Sequence, residues 1–430
     1  MNDFVYWIWL SLSCTPDSPT FPKLIAHFGD AKSVYDADLK EISRVIGFRT
    51  SDRSLLNDKD LSKAESIYDF CIRKGVGLTH YNAEDYPKPL KSIPTPPVVL
   101  YYRGRLPDFD REFLCSIVGT RKLSDYGRGA AFSVGYDLAT AGATVVSGMA
   151  MGIDAVAMAG ALSAGGKTVA VIGSGIDVCY PAEHLTLARE IVKEGCVITE
   201  FAPGTKPNKY NFPKRNRIIS GLSSATLVIE GKEKSGALIT ARHAMQQERA
   251  VYAFPGNVGN PNSELSLLLI KNGAKMFTRA EDIIKDFEGV GRLNPFKLRD
   301  KLAVNIFDAL NKYKVVCSCP SDDVFFTPRK RRESATVSPK TSRKKETQAP
   351  TAAPSEVTFE LPSEPVTLPA TLDAVAIKVY KKIPLVGECK IESLVDGEIS
   401  LKDILRAMPK LEMHRLIELL PGEKIKRKTN

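Results

Sequence analysis

The stretch NFPKRNRIISG, Asn211 to Gly221, places three cations, Lys214, Arg215 and Arg217, within four positions. Lys209, Tyr210 and Phe212 stand just ahead of them. Cations neutralise phosphates and release their counterions, while aromatic faces stack on bases. Together these are the parts of a surface for single-stranded nucleic acid. A charge run alone reads as a solvated helix face. The interleaved aromatics tip this one towards binding.

Other candidates sit where apolar runs end. They are Gly119-Thr120-Arg121-Lys122, SGMAMGID (147–154), GSGIDVCYP (173–181), EGKEKSGALITA (230–241) and PGNVG (255–259). Backbone N–H groups at glycine turns and helix N-termini bind anions without needing a side chain. Several signals are weaker. Gly173-Ser174-Gly175 lacks the third glycine of a dinucleotide fingerprint, and no Walker pattern exists. Asp154 and Asp177 read as helix caps. Glu200 and Glu230 end strands as possible acid or base groups, with no His or Cys partner at recognisable spacing. The five histidines are isolated and Cys317-Ser318-Cys319 has no second pair, so no metal, cofactor or catalytic group is expected.

These residues need a frame. Between 106 and 290 the chain alternates short apolar runs (114–119, 143–148, 167–173, 196–201, 224–231, 250–256, 275–279) with stretches of helical spacing. Continuous apolar strands between amphipathic helices predict βαβ units and an α/β, largely parallel, doubly wound sheet. Ligands of such sheets bind at the carboxyl ends of the strands, where the candidates fall. Before it, FPKLIAHFG, LKEISRVIGF and LSKAESIYDFCIRKG read as short helices, and the proline-rich YPKPLKSIPTPPVVLYYRG as an extended segment docking on the sheet. After it, residues about 320–370 are rich in Pro, Ser, Thr and Lys, the composition of a disordered linker. In the last sixty residues LDAVAIKVYKKI, CKIESLV and LKDILRAMPKLEMHRL look helical and LIELLPGEKIKRK like a hairpin, the outline of a winged helix. The expected domains are 1–80, 81–295, a basic linker over 296–370, and 371–430.

Composition sets the bounds. A chain of 430 residues, 43% hydrophobic, has room for several cores. Its net charge is +10, but Pro328–Lys345 alone holds eight basic residues against Glu333. The folded parts are therefore only mildly basic, and bulk charge argues little. Eight scattered cysteines fit a reducing, cytoplasmic setting. No apolar run is long enough to span a membrane, and the N-terminus lacks the basic region of a signal peptide.

The central region also resembles the DNA-processing protein A family, DprA/Smf. The resemblance rests on VGTRKLSDYGRGAA (118–131), VVSGMAMGIDAVAMAGAL (145–162), KTVAVIGSGIDVCYPAEH (167–184), ITEFAPGTKPNKYNFPKRNRIISGLS (198–223), LVIEGKEKSGALITARHAMQQER (227–249) and FPGNVG (254–259). It covers roughly residues 80 to 285. It implies an extended Rossmann-like domain that forms a homodimer, a helical SAM-like domain before it and a winged-helix domain after it. It implies a non-enzymatic protein that binds and protects single-stranded DNA and loads RecA recombinase during natural transformation. The DNA pocket it implies uses Gly119, Arg121, Lys209, Phe212, Arg215, Arg217, Ser235 and Gly236. NSELSLLLIKNGA (262–274) departs from the family pattern, with Leu265 to Leu267 where a Gly-Xaa-Asn element is expected. Two other readings compete. One is a Rossmann-type nucleotide hydrolase similar to the cytokinin-activating LOG proteins, which nucleotide turnover would reveal. The other places DNA binding in the linker and winged helix, which deleting 320–430 would expose.

Overall fold

The computed structural model describes residues 2–47, 52–291, 293–294, 304–317, 374–383, 389–390, 401–413, 416–420 and 424–427. The chain divides into two compact units, Met1–Arg331 and Arg332–Asn430.

The first unit opens with helices α1 (Asp3–Ser13), α2 (Thr20–Phe28), α3 (Ala31–Asp36), α4 (Leu39–Ile46), α5 (Asp52–Asn57) and α6 (Ser62–Lys74). The apolar N-terminal stretch is itself a helix. The Asn2 side chain caps it by accepting the Phe4 N–H, and Trp7, Ile8 and Leu10 are fully buried. There follow β1 (Gly77–His80), α7 (Lys88–Lys91), β2 (Val99–Gly104), β3 (Leu114–Gly119), α8 (Asp125–Thr140), β4 (Thr144–Ser147), α9 (Ile153–Ser163) and β5 (Thr168–Val171). Next come α10 (Leu185–Glu194), β6 (Cys196–Thr199), α11 (Asn211–Gly221), β7 (Ala225–Ile229), α12 (Gly236–Gln246), β8 (Ala250–Ala253), α13 (Glu264–Lys271), β9 (Lys275–Met276), α14 (Ala280–Asp286) and α15 (Ile306–Lys312).

The strands form one sheet of order β1-β2-β6-β5-β4-β3-β7-β8-β9. From β6 to β9 in that order every pairing is parallel. The predicted doubly wound sheet is present, and its strands are continuous apolar runs because both faces are covered. Ile117 and Leu227 enter one core, and their neighbours Val118 and Val228 enter the other. The first core holds α8, α9, α10 and the N-terminal helices, the second α11, α12 and α13.

Two antiparallel strands, β1 and β2, extend the sheet beyond the predicted set. The proline-rich segment, expected to be extended, forms the one-turn helix α7 at Lys88–Lys91, and only its end is a strand, β2. β1 lies inside the stretch expected to be helical, so the helical region gives way to the sheet at Gly77. A second correction concerns the linker expected from 296. Within it, α15 folds back onto the first unit, with Ala309, Leu310 and Tyr313 buried. Ile306, Ala309, Leu310 and Tyr313 follow the spacing of a helix face, a pattern too short to stand out beside a charged tract.

In the second unit, α16 (Ala374–Lys382) and α17 (Leu401–Met413) accompany a sheet of order β10-β12-β11. Its strands are Cys389–Lys390, Ile417–Leu420 and Lys424–Arg427, and the last two pair antiparallel as the expected hairpin does. Val379, Tyr380, Ile404 and Leu411 are among its buried residues. CKIESLV, expected to be helical, begins instead as strand β10, and the rest of it lies outside the described residues. α17 runs through Pro409. Most of the basic linker also lies outside the described residues. Among the described residues no helix is long and apolar enough to cross a membrane, and no group of three acidic, His or Cys side chains is placed to hold a metal.

Candidate functional site

The sheet has one point where its winding reverses. From β3 the chain moves outward through β4, β5 and β6, then crosses to the other side of β3 for β7, β8 and β9. Loops leaving β3 and β7 therefore diverge and leave a crevice at their carboxyl ends. A cleft of about 610 Å³ occupies that point, lined by the loop after β3, the first turns of α11 and α12, and the loop after β7. Its volume is that of a pocket for a small ligand or one to two residues of a polymer, about 300–1,000 Å³. Gly119, Arg121, Lys209, Phe212, Arg215, Ser235 and Gly236 all line it. Arg217 does not.

The phase of α11 explains the exception. Positions 214 and 217 are three apart and share a face, while 215 lies about 100° round from 214. The shared face turns to the N-terminal segment and the back of the sheet. Lys214 Nζ donates to Pro16 O at 3.2 Å and pairs with Asp17 at 3.1 Å. Arg217 grips Glu200 through both terminal nitrogens, at 2.8 and 2.7 Å, and reaches Thr95 Oγ1 at 3.2 Å through Nε. Its side chain is only 3% exposed. The expectation that Arg217 contacts DNA does not fit this placement: it is buried, committed to a two-point ion pair and absent from the cleft lining. Glu200 is committed to the same pair and is no free acid or base.

Arg215 faces the cleft from its floor. Its Nη1 donates to Gly148 O at 2.9 Å and its Nε to Asn216 Oδ1 at 3.3 Å. Asp154, also lining the cleft and 7% exposed, accepts the Gly148 N–H at 3.1 Å. It caps no helix by side chain; it turns instead to the loop before α9. A Cβ added at Gly148 would lie 2.4 Å from Arg215 Nη2 and 2.7 Å from Asp154 Oδ2, so only glycine lets the two side chains converge there. Burial raises the Asp154 carboxyl above the usual carboxylate range, and the nearby Arg215 and Arg121 charges oppose that rise. Burial likewise lowers Arg215 to about 10, with Asp154 acting the other way. Arg215 remains cationic at neutral pH, partly neutralised before any ligand arrives.

Phe212 forms the aromatic wall. Its ring centroid is 5.4 Å from that of Tyr180 and 5.8 Å from the Arg121 guanidinium carbon, the outer range of a cation–π contact. It also leans on Gly173, where a Cβ would come within 2.9 Å of its ring, so this glycine serves packing rather than a dinucleotide turn. Lys209 is exposed at the rim, with Nζ 5.1 Å from the centroid of the exposed Tyr210 ring.

The opposite wall belongs to the β7 loop and the start of α12. Ser235 is the N-cap, but its hydroxyl makes no capping bond and no other hydrogen bond among the described residues. The first N–H groups of α12 therefore lack a side-chain cap beside Lys232 and Lys234, both cleft-lining. Glu230 is turned away, accepting from the Ser124 N–H at 2.9 Å and from the Ser124 hydroxyl at the start of α8.

Sequence reasoning passed over Lys122, Lys232, Lys234 and Asn262 as individual site residues. Lys232 and Lys234 alternate with Glu233, the pattern of a solvated loop, and only their place after β7 marks them. Asn262, in the segment that departs from the family pattern, still reaches the cleft and donates to Lys122 O at 3.1 Å. The cleft thus gathers Arg121, Lys122, Lys209, Arg215, Lys232 and Lys234 against the single carboxylate of Asp154. A concave, cation-lined wall focuses potential on an anion, and a ring beside it offers a stacking face.

Comparison with known proteins agrees with this architecture. Residues 77–288 match the family model of DNA recombination-mediator protein A. The DNA processing protein DprA of Bacillus subtilis is 40% identical over 213 residues, covering 50% of this chain and 72% of the relative. Protein Smf of a Synechocystis strain is 40% identical over 49% of this chain and 54% of its own length. Among solved structures, DNA processing protein A from Streptococcus pneumoniae superimposes with a TM-score of 0.59 at 32% identity, covering 67% of this chain and 99% of that one.

Proposed function

Because this chain belongs to the DNA recombination-mediator protein A family, DprA/Smf, we propose that it binds single-stranded DNA in the β3/β7 cleft. One observation carries the reading: six cations, Phe212 and the uncapped start of α12 converge on one crevice. Phosphates would lie against Arg121, Arg215 and the α12 N-terminus, with a base against Phe212. A duplex hides the base faces that Phe212 could stack on, whereas a single strand exposes them, so single strands are favoured. The cleft reads as a binder rather than an enzyme. Ser235 has no base bonded to its hydroxyl, and Glu200 and Glu230 are engaged elsewhere.

Family membership carries the finer parts of the proposal. The protein would protect incoming single strands and pass them to RecA recombinase in transformation or recombination. It would work in the cytoplasm as a homodimer joined through the sheet domain, with a winged-helix-like second unit. The primary test is fluorescence anisotropy of a labelled single-stranded oligonucleotide on the full chain, across salt, with unlabelled duplex as competitor. Salt-sensitive binding with single strand preferred is expected, and it should weaken when Arg121 and Lys209 are both replaced by alanine. Equal affinity for duplex, or indifference to that double substitution, would remove DNA from the cleft.

A further inference from the structure

His184 lies outside the cleft and is fully buried just before α10. Its Nδ1 is 2.9 Å from Met149 O, and its Nε2 is 3.0 Å from Val316 N. Met149 O can only accept and the Val316 N–H can only donate. The ring is therefore neutral, with its proton on Nδ1. Val316 is held a second time, since its carbonyl accepts the Gly152 N–H at 3.1 Å.

Val316 lies in the segment 304–317, beyond the family match at 288, which carries α15 into the first unit's core. Met149 and Gly152 belong to the loop between β4 and α9. The other side of that loop is cleft wall. Ala150 and Asp154 line the cleft, Gly148 O takes the Arg215 guanidinium, and the Ile153 N–H donates to Thr120 O at 3.1 Å beside Arg121. A packed segment behind a loop with ligand groups in front can set where those groups stand.

We propose that His184 is a positioning residue for the cleft: by bridging Met149 and Val316 it clips residues 304–317 to the back of the 148–152 loop, and so holds Asp154 and Arg215 in place for the phosphate backbone. This rests on the single-strand reading above. The established motifs contribute the front of the site, and this segment its backing.

Three variants of the full chain test it. In His184→Asn the amide nitrogen stands near Nδ1, keeps the Met149 bond and loses the acceptor for Val316. In His184→Gln the amide oxygen stands near Nε2, keeps the acceptor for Val316 and loses the donor to Met149. Val316→Pro removes the N–H and leaves His184 untouched, so the test survives if one variant misfolds. Two readouts are taken: hydrogen exchange at the Gly152 amide and affinity for a labelled single-stranded oligonucleotide. Each variant breaks one arm of the bridge, so each should speed Gly152 exchange and weaken binding about three- to tenfold, the worth of one hydrogen bond. Faster exchange with unchanged affinity would separate the segment from the cleft and overturn the proposal. Unchanged exchange in all three would overturn the bridge itself. A parent chain that binds no single strand would instead overturn the functional reading, and the proposal would fall with it.

Discussion

Arg217 and Glu200 meet in a two-point ion pair, Nη1 to Oε1 at 2.8 Å and Nη2 to Oε2 at 2.7 Å, with side chains 3% and 6% exposed. Two residues earlier on the same helix, Arg215 points into the cleft. One cationic motif thus divides into a buried, ion-paired arm and a cleft-lining arm.

Arg217→Ala should act on stability. It leaves a buried carboxylate unpaired, a loss of about 3–5 kcal/mol. Lysine should rescue only part, since it keeps the charge and forfeits the second hydrogen bond. Chemical denaturation measures this. A variant of parental stability whose oligonucleotide binding has lost salt dependence would return Arg217 to the DNA contacts.

The exposed and cleft-lining cations should act on the salt slope. Lys209, Lys232 and Lys234 make no ion pair among the described residues. Replacing any one by alanine should leave the melting temperature unchanged. The slope of log Kobs against log salt should fall by about 0.7 for each phosphate of a single strand that is no longer neutralised. Arg215→Ala should lower both slope and stability, because Asp154 then keeps its buried charge without its nearest cation. A parental slope in all four variants would empty the cleft of phosphate.

The sequence made some of this legible and hid the rest for definite reasons. Arg121 and Ser235 could be placed because each follows an apolar strand, and strand ends of a doubly wound sheet share one edge. Phe212 could be placed because an aromatic beside cations has few other uses. Arg215 and Arg217 could not be told apart. Which face of α11 meets the cleft depends on how the helix sits against Ile93, Leu90 and the N-terminal segment, all distant in sequence. Lys232 and Lys234 were masked by Glu233 between them. His184 and Val316 are 132 residues apart, and neither residue type announces its partner.

Phe212 should contribute stacking and no charge. Phe212→Ala should cost about 1–3 kcal/mol of single-strand affinity with the salt slope unchanged. Gly173→Ala approaches the same ring from behind: its Cβ would come within 2.9 Å of Phe212 Cδ1, so the ring must shift. It should reproduce part of that loss although Gly173 carries no side chain to touch DNA. Anisotropy at several salt concentrations separates this from a charge effect. A Gly173→Ala chain that binds like the parent would mean that the position of the ring is immaterial.

The histidines set the acid limit of stability. Burial lowers His80, His184 and His243 below the ordinary 6.5. For a depressed group the unfolded chain binds the proton first. The stabilisation is complete above the unfolded value and is lost as pH falls from there through the folded value. Asp137 works in the opposite sense. Burial, helped by Glu281, raises it to about 6, so the folded chain holds a proton there that the unfolded chain has released. Asp154, raised by burial, works the same way as Asp137. The histidines by themselves make stability fall as pH drops below 6.5, and these two carboxyls oppose that fall. His184 should matter most to the cleft, because a protonated Nε2 would point a proton at the Val316 N–H. His184→Gln, which cannot titrate, should therefore flatten the acid limb of a plot of denaturation midpoint against pH. An acid limb as steep as the parent's would remove His184 from the proton balance and leave the loss to His80 and His243.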